Sequence, residues 1–551
     1  MAVDDSDEEN TNRAMPDARR DSEKLRKSLN GVQVFFIIVS TVIGTGVFSG
    51  NGSTLAVAGP LGLLLNVVGV GLVAVCVGET VSELVQLWTV PNAVYYYIKQ
   101  FVDTEAAWVV TGLYWYANAA VFAVQMLGAA KLVQFWDLTA IWPPFIFYLV
   151  VPFLLLSLNL AGISVYGWAE IIFGTLKSVL ILGVTCTLYD ISTKNGYAGP
   201  EGRKHPPAGK GNILGTPIQY NFYNAKVPLF LVTLPPPPFG LPSSATALTL
   251  SALHARSYGI PQVAYSYIGI ESAVVAAFES KDAQAVARPS QYVHWFIFVL
   301  YFLCTLGIAL TVRWDDTHLT LPLAGLSHPK SNSPTIIAIA KDPRLGATPL
   351  PGFVNGCLIM SIISSAGASL YLAGRTLFGL AYSVPLQGRN LASKAFGGLR
   401  GVWEKTGVPA KALLVTMLAF FWLPWLSEAP QGKGVAVEDA LKVLGLTASM
   451  SCIITWAFLC LAFIRYHIWA KKWENSLTGD GPDLSQYDRS SKKYADRIKG
   501  ISVAFQPWIA TTGFLGCVIV SISASAPWWA HPARAQDVLA ATPWEWYCGL
   551  P

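Results

Sequence analysis

Long apolar runs alternate with short polar segments along most of the chain. A helix needs about 20 apolar residues to cross the hydrocarbon core of a bilayer. By this measure the chain has eleven such runs, which we number spans 1 to 11: 32–57, 62–88, 106–134, 141–161, 164–190, 258–279, 291–312, 351–382, 411–428, 440–464 and 503–526. The pattern predicts an all-α integral membrane protein with about eleven transmembrane helices.

The polar segments predict the orientation of the chain. Basic residues are concentrated before span 1, between spans 8 and 9, and after span 10, and such residues collect in short cytosolic segments. We therefore expect a cytosolic N-terminus and, with an odd number of spans, an external C-terminus; the reverse orientation is the less favoured alternative. Residues 1–30 have no apolar core of the secretory kind, so span 1 is expected to direct insertion.

The predicted organisation has five parts: a disordered cytosolic N-terminus over 1–30, spans 1 to 10 over 31–465, a cytosolic loop over 466–502, span 11 over 503–526 and a Trp-rich tail over 527–551. Within the second part, residues 191–257 are rich in Pro and Gly and predict an irregular exterior loop; translated non-coding sequence is the alternative. The tail fits an interfacial segment better than a further span, because charged residues interrupt it.

Composition excludes several classes of protein. Hydrophobic residues make up 53% of the chain and charged residues 13%, against roughly 25% charged in soluble domains. The net charge of +5 is dispersed, so nucleic acid is not an expected partner. Seven of the eight cysteines lie in apolar runs and predict packing rather than disulfides. The sequence has no C-x-x-C, H-E-x-x-H or paired-His spacing of a metal site, and no Ser/His/Asp set of a catalytic site stands out. We therefore expect no metal and no cofactor, and a protein that is not an enzyme.

Span 1 contains a weak point in an otherwise strong apolar helix, the sequence Gly44-Thr45-Gly46. We expect the helix to open there. An opened helix is tolerated within a membrane only where its N–H and C=O groups face protein, water or ligand, so the break predicts a polar cavity. Close packing of small residues against another helix is the alternative.

Span 6 contains a second weak point, at Gly269, with Glu271 two residues later. Two interrupted helices at corresponding places in successive sets of five predict an inverted-repeat transporter with its site between them. N–H groups at the start of a half-helix bind an anion, and carbonyls at the end of one bind an ammonium group. One zwitterion satisfies both.

Charged residues inside spans are costly, and each is therefore a functional hypothesis. Lys177, Glu79 and Glu271 lie deepest. Lys177 is about thirteen residues from either end of span 5, and a buried lysine can exchange a proton with a cavity; a lysine locked in a structural pair is the alternative. Three charges nearer to span ends are expected to be interfacial anchors: Glu279, Arg313 and Arg375.

Several motifs resemble the amino acid, polyamine and organocation superfamily, and fungal amino acid permeases in particular. They are IGTGVFSG in span 1, GETVSEL in span 2, FWD after span 3, GTLKSVLILG in span 5, YIGIESAVVAAFES in span 6 and NGCLIMSIISSAGASLYLAGRTLFGLA in span 8. The resemblance covers about residues 30 to 525. The motifs of spans 1, 6 and 8 are specific only in combination.

The resemblance implies the five-plus-five inverted-repeat fold of the leucine transporter and amino acid import by proton symport. It places the substrate carboxylate at the amides of Gly44, Thr45 and Gly46, and the amino group at the carbonyls from Tyr265 to Ile270. Lys177 matches the lysine that takes the place of a sodium ion in sodium-coupled relatives. The positions of span 8 that face the site are Ser364, Ser365 and Ser369, although serines also pack helices.

The chain departs from the family at three points. Ile270 stands where many fungal permeases have Thr, the loop 191–257 is long, and a twelfth span is missing; a faulty gene model explains the last two. A non-transporting amino acid sensor is the alternative function, as is a permease for polyamines or other organic cations. The expected partners are an amino acid and the lipid bilayer, in the plasma membrane in preference to the vacuole.

Overall fold

The computed structural model describes the chain over these residues: 25–136, 145–194, 259–281, 283–313, 316, 318–319, 333–383, 391–426, 434–472, 494, 498 and 503–530. The predicted N-terminus, most of the loop 191–257, most of the cytosolic loop and most of the Trp-rich tail lie outside these residues. The described part is nearly all helical, which confirms the all-α prediction.

A helix or a pair of helices corresponds to each predicted span. Their bounds are Gly31–Val42, Asn51–Leu87, Thr104–Val133, Val151–Leu160, Ile163–Lys194, 259–266 with Ala273–Ala276, Ala283–Thr311, Leu350–Ser383, Ala410–Phe420, Gly434–Lys472 and Trp508–Ala530. Shorter helices connect them: Ala93–Phe101, Pro334–Lys341, Leu391–Leu399 and Leu423–Leu426. The second helix contains the end of span 1 followed by span 2, and the backbone turns between them at Gly59 (φ 70°) before Pro60.

Among the described residues, six helices are long and apolar enough to cross a membrane by length and composition, and a bent pair in span 1 makes a seventh candidate. Shorter apolar helices correspond to spans 4, 9 and 11: Ile146–Leu160, Ala410–Trp425 and Trp508–Ala524. The integral membrane class is therefore supported, while eleven crossings and the inverted repeat stay predictions.

Span 1 lies at the centre of the packing. It contacts spans 5, 7 and 8, while span 8 packs along span 3 and span 7 along span 2. In the most apolar 18-residue stretch of span 8, 72% is buried inside the protein, whereas in that of span 5 only 33% is buried. Span 8 is therefore enclosed by protein, whereas span 5 lies at the edge of the bundle with one face outward.

Span 5 has two faces with helical spacing. Its large exposed side chains are Val165, Trp168, Ile172, Leu176, Val179 and Leu182, three or four residues apart. Its buried face contains Tyr166, Glu170, Lys177, Ile181, Val184 and Leu188. The exposed face suits contact with lipid, and the buried face brings one acid and one base against the centre of the bundle.

Candidate functional site

The predicted interruption of span 1 is present. The first helix ends at Val42, Ile43 is extended (φ −77°, ψ 95°), and helical structure resumes at Gly46–Gly50 as a π-helical turn. The two helical parts are bent by 44°. The first N–H groups of the resumed helix have no acceptor within it, so this break presents backbone donors of the kind that bind an anion.

Carbonyl groups at the end of the first helix are bound by side chains from three other spans. The pairs are Lys177 Nζ to Ser40 O (2.7 Å), Ser365 Oγ to Thr41 O (2.9 Å), Tyr301 OH to Val42 O (2.8 Å) and Ser361 Oγ to Ile43 O (3.4 Å). A buried carbonyl without a partner costs free energy. Spans 5, 7 and 8 therefore stabilise the opened conformation of span 1.

The glycines of the break are required by close packing. A Cβ on Gly44 would lie 2.7 Å from Ser365 Oγ and 3.1 Å from Gln125 Oε1, and a Cβ on Gly46 would meet the backbone of Ser266. Close packing was the alternative to an opened helix in the sequence. The structure combines the two, because the helix opens where spans 6 and 8 approach its backbone.

The predicted interruption of span 6 is also present. The helix 259–266 gives way to turns over 267–272 before Ala273–Ala276. Gly269 has φ 102°, a conformation that favours glycine, and its amide donates to Glu271 Oε2 at 3.2 Å. The same oxygen accepts from Trp456 Nε1 at 2.8 Å. Glu271 thus fixes the turn of its own span.

The two interruptions lie against each other. Thr45 Oγ1 donates to Tyr265 OH at 3.3 Å, and a Cβ on Gly269 would clash with Thr41. The side chain of Ile270 is 2% exposed and belongs to the hydrophobic core. The residues predicted from spans 1 and 6 are therefore brought together in one place.

The predicted serines of span 8 divide into two groups. Ser365 bonds to span 1 and accepts from Gln125 Nε2 at 2.9 Å. Ser369 instead donates to a carbonyl of its own helix, and Ser364 is buried at 4% exposure. Ser361, one turn before Ser365, was missed by sequence reasoning although its i−4 spacing places it on the same face.

Span 5 brings two ionisable groups to the buried side. Lys177 is 0% exposed and bonds to the break of span 1, as described above. Glu170 is 1% exposed and was missed by sequence reasoning. The signal was its position seven residues before Lys177, because two helical turns return a side chain to the same face.

Glu79 lies between spans 2 and 7. One carboxylate oxygen is 2.8 Å from both His294 Nε2 and Trp295 Nε1. Together with the hydrogen bond of Ser82 to Ser290, this pairing joins the two spans. Its predicted role in proton coupling stays a prediction.

Glu279 and Arg375 differ from the prediction of interfacial anchors. They form a buried ion pair, 2% and 7% exposed, with Arg375 Nε 2.7 Å from Glu279 Oε1. Tyr371 OH donates to the other oxygen at 2.7 Å. The pair forms because the end of span 6 packs against span 8, a contact that distance from a span end cannot predict.

The segment before span 1 is hydrogen-bonded to the backbone at Glu279. The amides of Ser28 and Leu29 donate to Glu279 O at 2.9 and 3.0 Å, and the amide of Lys281 donates to Leu29 O at 3.0 Å. Leu29 and Ser280 form an isolated parallel bridge. The start of span 1 and the end of span 6 are therefore joined on this side of the bundle.

Helices of membrane length and two interrupted helices in contact define a membrane protein of the transporter class. The chain belongs to the amino acid permease family, which matches residues 33–478. The predicted resemblance is thereby confirmed, and family membership indicates an amino acid transporter rather than an enzyme.

Known permeases of fungi are similar to this chain over most of its length. It is 26% identical over 487 residues to the General amino-acid permease GAP2 of Candida albicans, covering 88% of this chain and 73% of the relative. It is 25% identical over 460 residues to the Cationic amino acid transporter 1 of Schizosaccharomyces pombe, covering 83% and 68%. It is 25% identical over 451 residues to the Probable lysine/arginine permease CAN2 of Candida albicans, covering 81% and 69%.

Proposed function

We propose that the protein is a secondary active transporter that imports amino acids together with a proton by alternating access. The observation that carries this proposal is the contact between two interrupted helices, where Thr45 reaches Tyr265. Interrupted helices in contact within a membrane protein present backbone groups to a small ligand.

The proposed substrate site uses backbone groups that recognise the carboxylate and the amino group, which all amino acids share. The amides at Gly44, Thr45 and Gly46 stand at the start of the resumed helix of span 1, where unsatisfied N–H groups and the helix dipole favour a carboxylate. The carbonyls of Tyr265 and Ser266 stand at the end of the helix 259–266 and those of 267–270 lie in turns, and we assign the amino group to this segment, from Tyr265 to Ile270. Side-chain selectivity then depends on the residues around the two breaks.

Lys177 is the proposed link between the proton and span 1. Its ammonium bonds to Ser40 O at the end of the first helical part. A change in its protonation alters the interaction that holds the break against span 5. In this proposal the five-plus-five repeats rock against each other, the N-terminus is cytosolic, and the plasma membrane is the site of import.

The experiment is uptake of labelled amino acids and polyamines at two pH values, in cells that lack their own permeases. We expect amino acid uptake that rises in acid and that a protonophore abolishes. Lys177→Ala should lose uptake or its pH dependence, whereas Lys99→Ala, at an exposed lysine, should keep both. Uptake undiminished by the protonophore and by Lys177→Ala would refute proton coupling, and binding without accumulation would favour a sensor.

A further inference from the structure

Glu170 is a buried acid with no assigned role in the proposed symport. It lies on the buried face of span 5, seven residues before Lys177, and the two side chains are 1% and 0% exposed. Spans 1 and 8 both pack against span 5. An ionised group at such a depth is costly unless something binds it.

A cluster of unsatisfied polar atoms surrounds this carboxylate. The hydroxyl groups of Tyr166, Ser40 and Ser364, from spans 5, 1 and 8, lie beside Glu170. Glu170 Oε2 and all three hydroxyl oxygens are buried without a hydrogen-bond partner among the described residues. Since buried polar atoms are nearly always satisfied, these hydroxyls and the Glu170 carboxylate, which lie close enough to interact, form one polar site where spans 1, 5 and 8 meet.

The other buried acids of the bundle centre have donors. Glu271 accepts from an amide and an indole, and Glu79 bonds to His294 and Trp295. Glu271 Oε1, like Glu170 Oε2, is buried without a hydrogen-bond partner among the described residues, so these N–H donors reach only one oxygen of Glu271. Glu170 Oε2 has no N–H donor among the described residues, and the hydroxyls beside it can accept as well as donate, so they suit a protonated carboxyl as well as a carboxylate.

The polar cluster continues from Glu170 toward the start of span 1. The ring of Tyr166 stacks on that of Tyr371 with centroids 4.9 Å apart and planes at 20°. Tyr371 in turn donates to Glu279, which Arg375 also binds. Buried polar groups therefore extend from the break of span 1 to the Glu279–Arg375 ion pair, near the start of span 1.

We infer that Glu170 is the proton-binding partner of Lys177, which rests on the proposed proton symport. The Lys177 N–H bond breaks as the proton passes to the Ser40 hydroxyl, whose own carbonyl holds the ammonium, and the hydroxyl releases its original proton to form an O–H bond on the Glu170 carboxylate, so that a buried pair of opposite charges becomes neutral. The O–H bond then breaks as the proton passes to water on the side where Glu279 lies. Water, as the final proton acceptor, is the only other reactant.

The ionisable groups near Glu170 are consistent with this step. On its own span they are Tyr166 and Lys177. Tyr371 and Arg375 of span 8 interact with Tyr166, and the groups of spans 1 and 8 that face Glu170 are the hydroxyls of Ser40 and Ser364. Arg375 is already paired with a carboxylate. Lys177 is therefore the proton donor that the arrangement favours.

The test separates binding from coupling in proteoliposomes that contain the full-length protein. The probe is the labelled L-amino acid that the wild type accumulates most strongly among the common amino acids. One assay measures accumulation driven by a pH gradient, and the other measures exchange of labelled for unlabelled amino acid at equal pH. The variants are Glu170→Gln, Glu170→Asp and, as a control at an exposed acid, Glu105→Gln.

We expect Glu170→Gln to keep exchange but to lose accumulation, so that the internal and external concentrations become equal. Glu170→Asp should recover part of the accumulation, and Glu105→Gln should resemble the wild type in both assays. Accumulation by Glu170→Gln equal to that of the wild type would overturn the inference, as would loss of both activities in the Gln and Asp variants. Failure of the wild type to accumulate the probe would contradict the proposed symport itself, and with it this role of Glu170.

Discussion

Replacing Trp456 by Phe removes one N–H donor from the centre of the bundle and keeps an aromatic ring. Trp456 in span 10 is 1% exposed, and its indole donates to Glu271 Oε2 at 2.8 Å. Because the same oxygen accepts the amide of Gly269, the indole positions the carboxylate that fixes the interruption of span 6.

The expected loss follows from the environment of this hydrogen bond. Hydrogen bonds to charged groups contribute about 1.5–3 kcal/mol. If the interrupted segment binds substrate, as proposed, the loss appears as weaker substrate binding. Since about 1.4 kcal/mol corresponds to a tenfold change in affinity, Trp456→Phe should raise KM roughly tenfold to a hundredfold.

The assay is uptake of a labelled amino acid over a range of concentrations, normalised to the amount of protein at the membrane. Trp422→Phe is the matched control, because Trp422 is 48% exposed and donates to a carbonyl of its own helix region, Ala419 O at 3.1 Å. Its KM should not change. A KM of Trp456→Phe equal to that of the wild type would show that the indole does not support the substrate site.

Three further predictions concern stability, measured as apparent melting temperature in detergent. Ser365→Ala removes the donor to Thr41 O and should destabilise by about 1–3 kcal/mol; an unchanged melting temperature would contradict this. Arg375→Met should cost about 3–5 kcal/mol by leaving Glu279 buried without its cation, and in a double-mutant cycle with Glu279→Gln the two losses should not add. At the start of span 3, backbone hydrogen bonds to the Asp103 carboxylate lower its pKa. The ionised cap therefore stabilises the fold at pH values above the ordinary pKa of Asp, and this stabilisation is lost as the pH falls through the lowered pKa. Asp103→Ala should melt at a lower temperature than the wild type at neutral pH and by a smaller difference in acid; a difference independent of pH would refute this.

Local sequence was sufficient to predict both interruptions. Gly44-Thr45-Gly46 and Gly269 are weak helix formers within strongly apolar runs, and such a contrast is visible without any knowledge of neighbours. The depth of Lys177 was predictable in the same way, since it depends only on the distance to the ends of its own span.

Contacts between distant parts of the chain were not predictable in this way. Tyr301 and Ser361 bind carbonyls of span 1 from more than 200 residues away; the spacing of Ser361 places it on the face of Ser365, but local sequence does not show which helix that face meets. Glu170 was missed because it lies only seven residues from the start of its helix. A charged residue so near a span end is expected at the membrane interface, and only the packing of span 5 shows that Glu170 lies on its buried face. Glu279 and Arg375 illustrate the same limit, since each looks like an anchor when considered alone.

We propose that the two interruptions bind the carboxylate and the amino group of one amino acid. An experimental map of the full-length protein in a lipid nanodisc, with the transported amino acid at saturating concentration, tests it most directly. We expect ligand density between the interruptions, with the carboxylate at the amides of 44–46 and the amino group at the carbonyls of 265–270. Density for the ligand elsewhere, or continuous helices through both segments, would contradict it.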